Sequence, residues 1–385
     1  MTPTRAPEAV IVAALRTPIG TGFKGTLRDT TAFDLAAHVV GAASADLDPT
    51  LIDDVILGES MYGGGVVARH AALSAGLTSV PGLALNRHCA AGLSAVQGAA
   101  AGIRAGMDAL VIAGGVNSAS TAPKSRFRVD GEWVDPWVSP SHPYQADAPA
   151  LDMSITVGWN AAVRAGVSRE DMDAWALHSH EKAVRAIDEG RLAGEIVPID
   201  TPHGLFSVDE HPRRETSLAK LASLKPLHPE IEGFSITAGN ACGANDGAAA
   251  LAIASDRLGL PALAIVRSWA SVGVDPAETG LAPVKAIPKA LARAGLGVGD
   301  VDLFEINEAF AAMCVATTRL LDLDPDLVNV NGSGCSLGHP VAATGARMLV
   351  TLVHELRRRG GGIGVAAMCA GGGMGSAAVV EVPAP

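Results

Sequence analysis

Several features are scarce in this chain of 385 residues, and each absence excludes a class of protein. The five cysteines are scattered without Cys-x-x-Cys spacing, so we expect thiols in a reducing compartment, not a disulfide framework or a zinc site. No apolar run reaches the roughly 18 residues that a membrane-spanning helix needs. Residues Met1 to Ile19 lack the basic-then-apolar pattern of a signal peptide. These observations predict a cytoplasmic protein without a membrane partner.

Positive charge and aromatic side chains are also scarce. The formal net charge is −11, which argues against nucleic acid or an anionic membrane surface as the main partner. Aromatic residues make up 4% of the chain, whereas it contains 44 glycines and 48% hydrophobic residues. Such a composition favours a large core of tightly packed helices and strands, in one or two domains.

Strand and helix patterns alternate along the first third of the chain. The run from Ala9 to Leu15 predicts a buried strand, Ala32 to Ala45 a helix, and Asp54 to Leu57 a second strand. A short strand then leads into Cys89, and it is followed by an Ala-rich helix over 92–105 and a buried strand over 109–115. This alternation predicts a largely parallel sheet covered by helices on both faces.

The last third of the chain repeats this order. Strands are predicted over 262–267, 301–305, 328–331 and 364–369, and helices over 284–294 and 343–359. The segment strand–turn–Cys89–helix therefore corresponds to strand–turn–His339–helix about 250 residues later. We interpret this as a duplicated α/β unit that places Cys89 and His339 at equivalent helix N-termini.

Residues 118–236 interrupt this pattern with long loops and a predicted helix over 168–189. This insertion contains a set of basic residues in an otherwise acidic chain: Lys124, Arg126, Arg128, Arg213, Arg214 and Lys220. They form either a solvated surface or a lid over an anionic ligand, and charge alone favours the solvated surface.

Four side chains next to glycines or helix starts carry the candidate chemistry. A helix start lowers the pKa of a thiol, so Cys89 is a candidate nucleophile and His339, at the duplicate position, its activating base. Cys369 precedes three glycines whose backbone N–H groups can face an oxyanion. Asn307 offers an uncharged amide that can hold a water or a carbonyl group. Each residue alone is more typical of packing, whereas the combination indicates acyl transfer followed by carbon–carbon chemistry.

The whole chain resembles the thiolases, the acyl-CoA acetyltransferases. The matching segments are Arg16–Pro18, the Cys89 loop, Thr237–Ala241, Asn245–Ala248, Asn307–Ala311, Asn329–Gly345 and Cys369–Gly375. The resemblance implies a thiolase fold, with duplicated βαβαβαββ halves that form a five-layered α-β-α-β-α core and a loop-rich insertion. The expected units are residues 1–117 with 237–261 for the N-terminal half, 118–236 for the insertion or lid, and 262–385 for the C-terminal half.

The resemblance also implies catalytic roles. Cys89 takes the acyl group from an acyl-CoA, and His339 activates it. His339 and a water held by Asn307 stabilise the enolate of the second thioester. Cys369 removes the α-proton of acetyl-CoA or protonates the leaving enolate, and the N–H groups of Cys89 and Gly371 form a second oxyanion hole. The implied reaction is a reversible Claisen condensation with ping-pong kinetics.

Contacts with coenzyme A follow from the same resemblance. Arg213 is expected near the nucleotide end of CoA, Leu224, Ala238 and Cys242 along the pantetheine arm, and Met153 beside the acyl pocket. Ala309 and Phe310, which lie just after Asn307 in the sequence, are also expected among the residues that bind CoA or substrate. Acyl-CoA and acetyl-CoA are the expected partners, in a homodimer or homotetramer of lipid metabolism with no metal and no bound cofactor.

Four departures from the thiolase pattern affect the substrate. Asp152 stands where many members have histidine, Cys242 where serine is usual, Ala277-Glu278 where a Met-Gly pair is usual, and Ala90-Ala91 where Gly-Ser or Ser-Ser is usual. The loss of a bulky side chain at 277 suggests the hypothesis of a pocket for acyl groups larger than acetyl. We interpret Cys242 as a replacement of serine's size that takes no part in the chemistry, and Cys314 and Cys335 as packing residues.

Other functions stay open at this point. A decarboxylating ketoacyl synthase would need a second histidine in place of Cys369, and a non-catalytic member would have lost Cys89, His339 or Cys369. An acyltransferase that uses the thiolase fold on a non-CoA acceptor would need Cys89 and tolerate the loss of Cys369. A cysteine protease is supported only by the presence of cysteine and histidine.

Overall fold

The computed structural model describes residues 5–62 and 64–384. The outer ends of the first and last predicted units, residues 1–4 and 385, lie outside the described residues. The strands are β1 (Ala9–Arg16), β2 (Gly20–Thr21), β3 (Asp54–Gly58), β4 (Gly82–Leu85), β5 (Leu110–Ser118), β6 (Ser125–Val129), β7 (Glu132–Trp137), β8 (Ile199–Thr201), β9 (Gly204–Phe206), β10 (Asn245–Ser255), β11 (Ala264–Gly273), β12 (Leu303–Ile306), β13 (Gly362–Ala370) and β14 (Met374–Val382). The α-helices are α1 (Ala32–Ser44), α2 (Val66–Ser74), α3 (Ala91–Ala105), α4 (Asn160–Ala165), α5 (Arg169–Asp188), α6 (Leu218–Ala222), α7 (Ala282–Ala294), α8 (Ala311–Leu320) and α9 (Thr344–Arg359).

The two halves of the chain have the same order of elements, except that, among the described residues, the second half has no strand between its second and third helices. The first half runs β1-α1-β3-α2-β4-α3-β5-β10, and the second runs β11-α7-β12-α8-α9-β13-β14. Their strands lie in the order β12-β13-β14-β11-β1-β10-β5-β3-β4, joined across the middle by two residue pairs between β1 and β11. The insertion between β5 and β10 contributes the hairpins β6–β7 and β8–β9 and the helices α4 to α6.

Helices and sheet halves stack in five layers. Helices α3 and α9 pack between the two halves of the sheet in one apolar cluster. Helices α1 and α2 cover the outer face of the first half, and α7 and α8 cover that of the second. This arrangement confirms the predicted α-β-α-β-α fold.

The central helices α3 and α9 approach each other through a pair of glycines. A Cβ atom on Gly92 would lie 2.6 Å from the carbonyl oxygen of Ala342, and one on Gly345 would lie 2.5 Å from Cβ of Leu93. The N–H of Gly92 donates to that same Ala342 oxygen at 2.9 Å. The two loops that precede these helices are therefore held close together.

The prediction of a largely parallel sheet is wrong. Only β3–β4, β3–β5 and β12–β13 are parallel, and the remaining strand pairs among the described residues are antiparallel. The reason is that each half ends in a strand that reverses direction. In the second half, the Gly371–Gly373 turn returns the chain as β14, which pairs with β13 from Ala370 and Met374 onward.

The predicted strand over 328–331 is reduced to a single bridge between Val328 and Phe304. Asn329 has a left-handed φ of +50°, which ends the extended conformation. Its side-chain Oδ1 accepts from the Ile306 N–H and its Nδ2 donates to the Ile306 carbonyl, both at 2.8 Å. The Asn329 side chain thus satisfies the Ile306 backbone groups that a neighbouring strand would otherwise bind, and the chain turns away towards His339.

Candidate active site

Cys89 lies in the loop between β4 and α3, two residues before the helix begins. The Asn86 side chain accepts a hydrogen bond from the His88 N–H at 2.7 Å, and the Arg87 guanidinium donates to the hydroxyls of Ser94 and Ser271. These contacts hold both sides of the nucleophile loop. Cys89 itself is partly exposed, so a ligand can reach it.

The expectation that the helix start lowers the pKa of Cys89 is wrong. Burial raises the pKa of this thiol to about 11, and a hydrogen bond from the Gly371 N–H opposes the rise only in part. The loss of hydration outweighs the stabilisation that a helix N-terminus gives to an anion. Cys89 is therefore a thiol at neutral pH and requires a base to become a nucleophile.

His339 follows Gly338 and is buried, with 3% of its surface exposed. Gly338 has a φ of +109°, and a Cβ there would lie 2.7 Å from the Asn245 amide. That amide accepts the His339 N–H at 2.9 Å. His339 lies five residues before α9 begins, whereas Cys89 lies two residues before α3 begins. The two loops therefore correspond, but the two residues are not at the equivalent helix N-termini that the sequence predicts.

The protonation state of the His339 ring follows from its neighbours. Burial, and next the positive charge of Arg347, lower the pKa of His339 to about 3, so the imidazole is neutral at physiological pH. Nδ1 lies 2.7 Å from Oγ1 of Thr344, and that hydroxyl donates its hydrogen to the Pro340 carbonyl at 2.9 Å. The Nδ1 atom must therefore carry the ring hydrogen, which leaves Nε2 as the acceptor.

Asn307 directly follows β12 and is completely buried. Its Nδ2 atom lies 3.4 Å from both ring nitrogens of His339. Its Oδ1 atom is buried and makes no hydrogen bond within residues 5–62 and 64–384. A buried carbonyl oxygen without a partner is costly, and it is suited to bind a polar ligand group or a water.

The neighbouring Glu308 anchors the Asn307 loop. Its carboxylate accepts hydrogen bonds from Trp175, Ser179, Asn329 and the Cys335 N–H at 2.6 to 3.1 Å. Because α5 contributes two of these donors, the insertion helps to fix the position of Asn307 relative to His339.

Cys369 lies near the end of β13 and is 1% exposed. Burial raises its pKa well above the usual range, and the nearby Cys89 and Cys242 thiols add to this effect. Its sulfur lies 3.6 Å from the Met313 sulfur. The structure thus brings three cysteines from distant parts of the sequence into one site, and all five cysteines are free, as predicted.

Gly371 links the two cysteine loops. Its N–H donates to the Cys89 sulfur. A Cβ atom at this position would lie 3.8 Å from the Met153 sulfur, so the structure also brings Met153 beside the catalytic loop. Asp152, one of the departures from the thiolase pattern, pairs with His228 at 2.9 Å.

A cavity of about 430 Å³ contains three of the predicted CoA-binding residues, Arg213, Leu224 and Ala238. Its other lining residues are His180, His211, Arg214, Glu215, Thr216, Lys220, Leu221, Gly239, Ala241, Gly243 and Cys335. The cavity combines apolar walls with three cations. Such a surface matches a ligand with an apolar arm and anionic groups.

The cations of this cavity differ in their availability. Arg214 forms a bidentate ion pair with Asp188, and Lys220 donates to the Glu215 carbonyl. The Arg213 guanidinium makes no ion pair within the described part of the chain. Arg213 is therefore the cation best placed to bind an anionic ligand.

The remaining residues that the sequence suggested as ligand contacts lie either in the core behind the cavity or on the exposed surface. Ala309 and Phe310 are buried in the core, and their backbones pair with Cys242 and Ala241. They support the ligand wall through the backbone. Lys124, Arg126 and Arg128 lie away from the cavity, on or beside the exposed β6–β7 hairpin. The basic residues of the insertion thus divide into a cavity group and a solvated group.

Sequence reasoning missed several residues of the site. His180 and His211 line the cavity, and burial lowers the pKa of each to about 4. Thr344 sets the His339 tautomer. The nearness of His211 to Arg213 in the sequence was an available signal, whereas His180 has the spacing of an ordinary buried helix face.

Two negative observations concern the described segments, 5–62 and 64–384. No group of three or more His, Cys, Asp or Glu side chains there could hold a metal ion. No helix there is long and apolar enough to cross a membrane.

Comparison with protein families gives two matches that together span most of the chain. Residues 9–257 match the family described as "Thiolase, N-terminal domain", and residues 260–382 match "Thiolase, C-terminal domain". Among curated proteins, an acetyl-CoA acetyltransferase of Escherichia coli (strain K12) is 41% identical over 97% of this chain and 99% of its own length. A peroxisomal 3-ketoacyl CoA thiolase of Petunia hybrida is also 41% identical, over 97% of this chain and 84% of its own.

Solved structures of the same kind superpose closely. The acetyl-CoA acetyltransferase of Bacillus anthracis gives a TM-score of 0.91 at 39% identity, over 98% of this chain and all of that chain. The human mitochondrial 3-ketoacyl-CoA thiolase in complex with CoA gives 0.89 at 35% identity, over 98% of both chains.

Proposed function

The chain belongs to the thiolase family and is a thiolase, and on that premise we propose how its residues carry out the two half-reactions. As a CoA-dependent acyltransferase it catalyses the reversible Claisen condensation of an acyl-CoA with acetyl-CoA, or the thiolytic cleavage of a 3-ketoacyl-CoA. The observation that carries the assignment of roles is the neutral, buried His339 with a free Nε2, in the same site as two protonated cysteines.

In the first half-reaction, Nε2 of His339 accepts the proton of the Cys89 thiol. The Cys89 sulfur attacks the thioester carbonyl of an acyl-CoA, the bond from that carbonyl to the CoA sulfur breaks, and the departing thiolate takes the proton back from His339. The result is an acyl-cysteine and free CoA. The N–H groups of Gly371 and Cys89 hold the carbonyl oxygen during the transfer.

In the second half-reaction, Nε2 of His339 first takes the proton of the Cys369 thiol, which leaves an N–H at Nε2, and the Cys369 thiolate then removes an α-proton from acetyl-CoA. His339 and a water held by Asn307 donate hydrogen bonds to the enolate oxygen. The enolate carbon attacks the acyl-Cys89 carbonyl, the new carbon–carbon bond forms, and the Cys89 thiolate leaves and takes the proton back from His339. Cleavage runs through the same steps in reverse, with Cys369 as the proton donor.

We assign the cavity around Arg213 to coenzyme A. Arg213 contacts a phosphate group at the nucleotide end, while Leu224 and Ala238 border the pantetheine arm that leads towards Cys242 and Cys89. The apolar walls and uncompensated positive charge support this assignment.

The acyl pocket takes groups larger than acetyl in this proposal. Ala277 is buried in the turn Pro276–Leu281, where its methyl group replaces the bulkier side chain usual in thiolases. Val274 and Pro276 of this segment lie against Gly373 of the Cys369 loop. A small residue here leaves more room for an acyl chain.

We further propose a cytoplasmic homo-oligomer, a dimer or a pair of dimers, with a role in lipid metabolism. Strand β4 forms an edge of the sheet, and Leu83 on it is 49% exposed. Val66 and Leu73 of the adjacent α2 are exposed as well. Pairing of β4 with a second copy would cover this apolar edge. Light scattering of the purified protein tests this state, and a monomer would contradict it.

An acyltransferase acting on a non-CoA acceptor is not favoured, because the relatives that match over nearly the whole chain are acetyl-CoA acetyltransferases and 3-ketoacyl-CoA thiolases. The three-unit division of the chain, with residues 118–236 as a lid, stays a prediction. Its support is that Arg213, Arg214 and Lys220 of the insertion line the cavity.

The experiment follows the enolate absorbance of a panel of 3-ketoacyl-CoAs with CoA present. We expect cleavage by the wild type, with the best rates above the length of acetoacetyl-CoA, and loss of cleavage in both Cys89→Ala and Cys369→Ala. Cleavage that survives in Cys89→Ala would contradict the assigned nucleophile. Preference for acetoacetyl-CoA over all longer substrates would contradict the enlarged pocket.

A further inference from the structure

Three side chains converge beside the group that contacts the Cys89 sulfur. The point where a Cβ on Gly371 would lie is 3.6 Å from Cβ of Ser141, 3.7 Å from Cγ of His88 and 3.8 Å from the Met153 sulfur. Because the Gly371 N–H donates to Cys89, these three side chains lie within reach of an acyl group on that sulfur.

His88 brings an unused hydrogen-bonding group to this place. The residue is partly buried and has a left-handed φ of +46°, held by the bond from its N–H to the Asn86 side chain. Its ring nitrogens make no hydrogen bond to any residue that the structure describes. The ring is partly exposed, so its nitrogens are free to form a hydrogen bond with a ligand group in place of water.

Ser141 adds an acceptor to the same wall. Nε2 of His142 lies 2.8 Å from the Ala148 carbonyl oxygen, which can only accept, so Nε2 carries the ring hydrogen. Nδ1 of His142 then accepts from the Ser141 hydroxyl at 2.8 Å. The hydroxyl hydrogen of Ser141 is thus committed, and its oxygen retains lone pairs for a donor.

The acyl group therefore has a polar wall, with His88 and Ser141, and an apolar wall at Met153. Burial lowers the pKa of His88, so the imidazole is neutral and offers one N–H donor and one acceptor. A neutral donor–acceptor pair matches a hydroxyl or carbonyl oxygen. It provides no charge to compensate a buried carboxylate.

We propose that this thiolase selects acyl groups that carry a neutral oxygen substituent, a hydroxyl or a carbonyl, which binds His88. The inference rests on the proposed function, because it requires the acyl group to be attached to Cys89. It adds a specificity-determining residue to the site and names the class of substrate.

The test compares kcat/KM for 3-ketoacyl-CoAs of equal heavy-atom count, whose acyl groups end in a methyl, a hydroxyl or a carboxylate. We expect the wild type to prefer the hydroxyl substrate over the methyl substrate by about 10-fold, the value of one hydrogen bond. The carboxylate substrate should be the poorest of the three.

Two variants of similar size isolate the hydrogen bond. His88→Leu and His88→Gln bear the same cost of the left-handed backbone, but only glutamine keeps a donor and an acceptor. We expect His88→Leu to lose the preference for hydroxyl and His88→Gln to keep most of it. Arg128→Gln, on the exposed β6–β7 hairpin, should leave the ratio unchanged.

Three results would overturn the inference while leaving the thiolase assignment in place. They are a wild type that cleaves the methyl substrate at least as well as the hydroxyl one, an equal ratio in His88→Leu and wild type, and a preference for the carboxylate. The ratio of kcat/KM for the hydroxyl substrate to that for the methyl substrate in the wild type tests the inference even if a variant does not fold. Absence of cleavage together with absence of acyl-Cys89 would instead refute the proposed function itself.

Discussion

The Nδ1 atom of His339 lies 2.7 Å from the Thr344 hydroxyl oxygen, whose own hydrogen is bound to the Pro340 carbonyl. This contact fixes the tautomer that leaves Nε2 free to accept a proton. Thr344 is thus a positioning residue that acts through His339.

Replacement of this hydroxyl should slow chemistry more than it weakens binding. Thr344→Val removes the acceptor for Nδ1–H, and we expect kcat to fall about 10-fold with little change in KM for CoA. Thr344→Ser keeps the oxygen and should retain most of the activity. Equal kinetics in the valine and serine variants would contradict this role.

Loss of the second thiol should separate the two half-reactions. Cys369→Ala lacks the group that exchanges the α-proton, so we expect overall turnover to fall by about 10²- to 10⁴-fold. Acylation of Cys89 by an acyl-CoA should persist, measured as rapid release of one CoA per active site. If Cys369→Ala also failed to release CoA while remaining folded, the division of labour between the two cysteines would be incorrect.

The unpaired guanidinium of Arg213 predicts an effect on CoA binding. Arg213→Gln should raise KM for CoA about 10-fold with kcat nearly unchanged, because a charge-assisted hydrogen bond is lost. The difference in KM for CoA between the wild type and Arg213→Gln should become smaller at high ionic strength. Arg128→Gln on the distant β6–β7 hairpin is the matched control, and an equal rise of KM there would point to an effect of net charge alone.

Buried histidines predict a loss of stability in acid. Burial, with His211 and Arg213 nearby, lowers the pKa of His180 from 6.5 to about 4. Between these pH values the unfolded chain binds a proton that the folded chain does not, so the free energy of unfolding falls as the pH falls. The slope for this residue is about 1.4 kcal/mol per pH unit.

Denaturant titrations at several pH values measure this slope. His180→Asn keeps an acceptor for the Arg213 N–H but does not titrate in this range. We expect the variant to lose less stability than the wild type between pH 6.5 and 4. Parallel pH profiles for the two proteins would rule out His180 as a source of acid sensitivity.

Gly338 should not tolerate a side chain. Gly338→Ala combines a φ of +109° with a Cβ 2.7 Å from the Asn245 amide that holds the His339 N–H. We expect a loss of at least about 1 kcal/mol in the free energy of unfolding, together with reduced kcat. Gly98→Ala in α3, where a Cβ meets nothing within 4 Å, should be neutral or stabilising. Thermal unfolding of both variants distinguishes them, and equal stability would contradict the steric argument.

Sequence patterns were sufficient to predict the layers of the fold and most of its strands and helices, because the apolar runs of each half are strong and are repeated in the other half. The strand near 328 is the exception. There Asn329 satisfies the Ile306 backbone with its side chain, a contact that no periodicity indicates. The direction of the final strands was also missed, since a buried strand looks the same in parallel and antiparallel pairs.

The candidate catalytic residues could be chosen from short motifs, but their electrostatics could not. A helix start alone suggested a low pKa for Cys89, whereas the surrounding packed side chains raise it. The wall formed by His88, Ser141 and Met153 draws on separate segments of the chain, and only the folded structure brings them together.

The most direct measurement is the intact mass of the protein after incubation with an acyl-CoA and no acceptor. We expect one acyl group per chain, located on Cys89 by peptide mapping, absent in Cys89→Ala and removed by added CoA. An unmodified protein, or an acyl group on Cys242 or Cys369 instead, would contradict the proposed mechanism.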